Sequence, residues 1–268
     1  MPPKKDTSKL NVKNIEEKET PFDPVPYETR DVCTSISLLL SPEKEIVTRA
    51  LWVLTKYANL KEPNAEFLYK NGILANLLDL INYTDLTILR FTLKVLGQIV
   101  WDVPAAAKEL SLEQYNTQVK QINHIFMTVQ DPSVTEFSTQ ILSRVVKDPL
   151  MASYVFRAGV VAPIFKVLQT FEDADIQFNT LNFFYNVLEA REAEYVLQLT
   201  AEFSPRTLLC YLKSKLEEIR EATMNIIEKI TSWKSGPMQQ LLRDQNIVEV
   251  LFKVILNPEF KALHKKSF

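Results

Sequence analysis

Two histidines, two cysteines and two groups of carboxylates are the side chains of this chain best suited to acid–base, nucleophilic or metal chemistry. His124 and His264 have no Cys or His neighbour at ligand spacing, and His124, between Gln121 and Phe126, reads as a helix-face residue. Cys33 and Cys210 lie far apart with no disulfide-framework spacing, which points to a reducing, cytoplasmic setting. Cys210 falls in the apolar run Leu208-Leu209-Cys210-Tyr211-Leu212 and is expected to be a buried, inert thiol. The carboxylates of Glu189–Glu194 and Glu217–Glu221 are expected on solvated helix faces, where such charge is ordinary. Nucleophile elbows, Walker loops and dinucleotide fingerprints are absent. The residues therefore predict no enzyme: no catalytic residue, no metal site, no cofactor and no small-molecule substrate.

What remains is recognition, and the elements that would position it repeat. Asn71-Gly72-Ile73 returns as Ala158-Gly159-Val160 and as Gln245-Asn246-Ile247, each step being 87 residues. Leu77, Ile164 and Leu251 keep that step, as do Leu80, Val167 and Val254. Half of 87 is about 43, within the period of stacked helical repeats. From Asp31 onwards apolar residues recur at helical spacing, without the alternation of strands.

The pattern is clearest in the third helix of each unit, with centres at Ala50–Tyr57, Thr92–Ile99, Ser138–Val145, Thr180–Val187 and Thr223–Ile230. The first position is always small; the fourth, fifth and eighth are apolar. Positions 1, 4, 5 and 8 share one helix face, which is predicted to be core. Prolines punctuate the units, which run 31–60, 61–102, 103–147, 148–190, 191–234 and 235–268, the last lacking a third helix. Residues 1–30 are Lys/Glu-rich and carry five prolines, so they are expected to form a disordered tail ahead of a repeat domain at 31–268.

The stretches Asn71–Ile81 and Arg49–Thr55 resemble the second and third helices of an armadillo repeat. That resemblance implies an all-α, right-handed armadillo/HEAT-like helical solenoid of about six repeats, the last incomplete. Pro21-Phe22-Asp23-Pro24, Leu39–Glu43 and Leu241–Asp244 resemble armadillo proteins of motile cilia, implying a ciliary or sperm-flagellar role. Importin-α, by resemblance, would carry a Trp ladder with Asn four residues later; here the two survive only as Trp52 and Asn186, in different repeats. Nuclear-signal recognition is not expected.

Positions 3 and 7 of the helix centres face away from the predicted core. They are Trp52, Lys56, Lys94, Gln98, Gln140, Arg144, Asn182, Asn186, Asn225 and Lys229: four basic, five amide, none acidic. Amides can bond an extended backbone and the cations can pair with carboxylates. The expected partner is a protein or extended peptide of acidic character, bound on this third-helix groove. A net charge of −2 gives no general attraction to nucleic acid, and no apolar run approaches the length of a membrane span. The alternative is a structural component of an axonemal assembly, contacting partners through its ends and tail.

Overall fold

The computed structural model describes residues 29–189, 208, 210–232, 240, 243, 244 and 246–256. Among these the ordered elements are helices: α1 (Thr29–Leu38), α2 (Lys44–Leu60), α3 (Glu62–Lys70), α4 (Ile73–Leu80), α5 (Leu86–Asp102), α6 (Pro104–Leu110), a 3-10 turn (Glu113–Tyr115), α7 (Asn116–Thr128), α8 (Pro132–Val145), α9 (Pro149–Arg157), α10 (Val161–Thr170), α11 (Ala174–Glu189), α12 (Glu217–Ser232) and α13 (Ile247–Leu256). The units 61–102, 103–147 and 148–190 each hold three helices at the expected places. Helix α1 starts at Thr29, two residues ahead of the expected domain start and inside the tail expected at 1–30, whose residues 1–28 lie outside the described residues.

The 87-residue step has a backbone cause. Gly72 (φ 75°), Gly159 (φ 76°) and Asn246 (φ 53°) all adopt the left-handed conformation; Gly72 and Asn246 immediately precede the second helix of their unit and Gly159 lies two residues before its own. Glycine reaches that region without penalty, and asparagine is among the side chains that tolerate it. A Cβ added at Gly159 would meet no atom within 4 Å, so only the backbone would object. Gly159→Ala is expected to lower the unfolding free energy by about 1 kcal/mol. Urea denaturation measures it, and an unchanged midpoint would contradict the turn's role.

Helix starts follow the proline pattern. Asp148 accepts the Leu150 and Met151 amides at 3.0 and 3.2 Å ahead of Pro149, and Asp131 accepts the Val134 amide at 3.0 Å ahead of Pro132. Asp85 closes α5 in the same way through Thr87 and Ile88 at 2.9 and 3.1 Å. Such caps satisfy amides that have no partner within the helix.

The chain divides into two compact units, Met1–Ile141 and Leu142–Phe268, the division falling inside α8. In the first, α2 packs on α1, α3 and α5, and α5 also meets α3, α4 and α6. In the second, α11 packs on α10 and α12. The core is the predicted face: Leu96, Ile99, Ile141, Leu142, Phe183, Phe184, Val187, Ile226 and Ile227 are at most 2% exposed. The small first positions Thr92, Ser138, Thr180 and Thr223 are fully buried. Val53 and Tyr57 of α2 are only half-buried, because among the described residues no third helix precedes α2 to cover them.

Polar links between neighbouring repeats carry the same period. Asn76 donates to the Ile36 carbonyl (3.3 Å) and Tyr69 to Glu109 (2.6 Å), each spanning 40 residues. Arg90 grips Asp131 across 41 residues. Within the second unit, Asn186 reaches Ser143 and Tyr211 reaches the Leu168 carbonyl, each across 43. Burial pushes the Tyr211 phenol up to about 12, so it stays a donor at any ordinary pH.

Candidate functional site: the third-helix faces

Positions 3 and 7 sit on α2, α5, α8, α11 and α12, the third helices of their units. In the first unit, α5 is flanked by α2 on one side and by α8 on the other, through Arg90 and Lys94. A helix held between two neighbours has little free surface, so its outward positions line a furrow. Lys56, Lys94, Gln98 and Gln140 are accordingly half-buried, and Trp52 is buried at 7% exposure. In the second unit Arg144, Asn182, Asn225 and Lys229 are half-buried.

Two placements differ from the expected exposed face. Trp52 is turned into the packing of α2, where it contributes apolar contact. Asn186, 5% exposed, donates its amide to the Ser143 carbonyl at 2.7 Å, so it ties α11 to the end of α8. One of its amide protons is thus committed within the fold, at the Asn that matched the import-receptor ladder.

The lysines are held against rings. Lys56 Nζ lies 6.0 Å from the Trp52 ring centroid, Lys94 Nζ 5.7 Å from Phe137 and Lys229 Nζ 5.8 Å from Tyr185. A ring face attracts the ammonium and limits where it can swing. Side chains of α8 lie against α5 at Gly97: a Cβ there would stand 2.5 Å from Gln140 Oε1, the far end of a flexible side chain, and 3.6 Å from Phe137 Cδ1.

Carboxylates also enter these faces. Gln98 Nε2 donates to Asp102 Oδ2 at 2.5 Å, and Lys229 forms an ion pair with Glu189. Burial raises the Tyr185 phenol, and its hydrogen bond to Glu189 raises it further. Lys147 is pushed down from the ordinary lysine value by desolvation and then by the Arg144 guanidinium, with Glu189 pulling it back. Asp102 follows Gln98 by four residues, and Glu189 follows Tyr185 by four. That helical spacing was visible in the sequence and marks both as neighbours of the face.

The residues considered for chemistry are dispersed. His124 is exposed on α7, and His264 lies outside the described residues. Cys210 is exposed, contrary to the buried thiol expected. Leu208 and Leu212, four apart, take the inward face, and a residue two positions on from Leu208 points to the opposite side. Glu217 and Glu218 are exposed; Glu192 and Glu194 lie outside the described residues. Among the described residues no three His, Cys, Asp or Glu side chains gather as a metal site, and no single helix is long and apolar enough to cross a membrane.

No family model matches the chain. Over 162 residues, 60% of its length, it is 24% identical to Armadillo repeat-containing protein 3 of Homo sapiens. The matched part is 18% of that protein, so the chain spans less than a fifth of this curated relative. Among solved structures, a designed armadillo repeat protein in complex with the peptide (KR)4 matches with a TM-score of 0.68 and 15% identity, over 88% of this chain and 98% of the other. Computationally designed armadillo repeat proteins for modular peptide recognition match at 0.70 and 16%, over 88% and 98%. The chain thus resembles armadillo repeat proteins in sequence and has their all-helical fold, one typical of protein-binding scaffolds.

Proposed function

We propose that this armadillo-fold chain is a non-enzymatic scaffold that binds an extended, acidic segment of a partner protein on its third-helix faces. The observation that carries the proposal is the set of cations fixed there: Lys56, Lys94 and Lys229, each held over a ring, with Arg144 half-buried on α8. Cations already oriented lose less freedom on meeting a carboxylate. Gln98, Gln140, Asn182 and Asn225 add groups able to bond an extended backbone. A structural neighbour in complex with (KR)4 supports a peptide as the partner class. The basic side chains here favour the opposite charge, because like charges across an interface repel.

Replacing Lys94 and Arg144 together by Glu is expected to weaken capture of an acidic peptide by on the order of tenfold or more. Fluorescence anisotropy at low salt reads the change, with the thermal melt as a fold control. Equal affinity of wild type and double variant would end this reading.

One observation favours a second reading, that of a structural part of an assembly. Val248, Phe252 and Leu256 form a stripe on α13 and are 60–77% exposed, whereas Val161 and Phe165, which correspond to Val248 and Phe252, are at most 8% exposed. End contacts would use such a stripe. A ciliary or flagellar location belongs to this proposal too, and imaging the tagged chain in ciliated cells tests it.

A further inference from the structure

The second unit brings opposing charges together on the face to which the proposed function assigns binding. Lys229 pairs with Glu189 and lies over Tyr185, whose hydroxyl also bonds Glu189. Arg144 and Lys147 stand close enough to be felt together with Glu189, and Glu228 adds a negative charge felt at Tyr185. Glu189 therefore occupies, from within the chain, the place that a partner's carboxylate would take against Lys229. It is 41% exposed at its side chain, whereas Lys229 is 26% exposed. The carboxylate is thus the more solvent-exposed member of the pair.

We propose that Glu189 is an internal competitor for acidic ligands, so that an incoming Asp or Glu side chain must displace it from Lys229 and Tyr185 before engaging the Arg144–Lys147–Lys229 group. This inference rests on the acidic-peptide reading of the same face. An internal carboxylate held beside its cation acts at very high effective concentration. It lowers apparent affinity for weakly acidic segments and leaves those with several carboxylates able to bind. The device sets a threshold of ligand charge and supplies no binding strength of its own.

The test uses the full chain and two labelled peptides, one of alternating Glu and Ser and one (KR)4, titrated by anisotropy at low salt. Glu189→Gln keeps the size and a hydrogen-bonding group while removing the charge. It is expected to tighten binding of the Glu/Ser peptide about tenfold, and adding Lys229→Gln should remove that gain. Thermal melts establish that each variant is folded. If wild type binds the acidic peptide and Glu189→Gln binds it no better, the competitor is disproved and the acidic-peptide reading stands. If neither protein binds the acidic peptide, both ideas fall. Binding of (KR)4 by wild type that is lost in Glu189→Gln would make Glu189 a receptor for cations and would also overturn the inference.

Discussion

Phe184→Ala is expected to lower the unfolding free energy by about 3–5 kcal/mol, the largest loss of any single truncation considered. The side chain is 1% exposed and stands edge-on to Phe165 at 6.3 Å and to Phe183 at 5.8 Å between ring centroids. Truncation removes its burial and leaves a hole between α10 and α11 that stiff aromatic neighbours cannot close. Gln98→Ala is the contrast: its half-buried amide bonds Asp102 four residues on, and its loss should stay within about 0.5 kcal/mol. Urea denaturation of the two variants decides the matter. Equal damage would mean that core and furrow faces have been exchanged.

Arg90→Leu is expected to cost about 2–3 kcal/mol, although it replaces a charged residue by an apolar one. Arg90 holds Asp131 through Nε (3.2 Å) and Nη2 (2.7 Å), and the carboxylate, 10% exposed, also caps α8. Without the guanidinium a charge is left with little water and one amide donor. Asp131→Asn in the Arg90→Leu background should recover part of the loss, since a neutral amide oxygen can still accept from Val134. A double-mutant cycle measures the coupling. A coupling energy near zero would show the bridge to be energetically idle.

The fold was legible because a repeat writes its geometry more than once. Gly72 alone could be any turn; with Gly159 and Asn246 in register it names one left-handed residue per two repeats. The core face of the third helices was equally readable, since Leu96, Leu142 and Phe184 obey a period belonging to the helix itself. The furrow was harder to read. Periodicity tells which side of a helix is apolar, but the distance to the next helix belongs to tertiary packing. Trp52 and Asn186 lie on the nominally outward side and are nevertheless covered by neighbours. Cys210 shows the converse, where an apolar run suggested burial and helix rotation pointed the thiol outward. The charge count of the face also changed once Glu189 and Asp102 were seen beside it, because neither occupies a position 3 or 7.

The bonds that span 40 to 43 residues have a consequence for how such a chain can change over generations. Each reaches from one repeat to the next and no further. Losing or duplicating a whole repeat brings equivalent donors and acceptors back into reach, whereas losing one or two residues inside a helix turns the later side chains of that helix off their face. Length in a chain built this way can change in whole steps, and a surface made of similar furrows can grow or shrink by one furrow at a time without a new fold being invented.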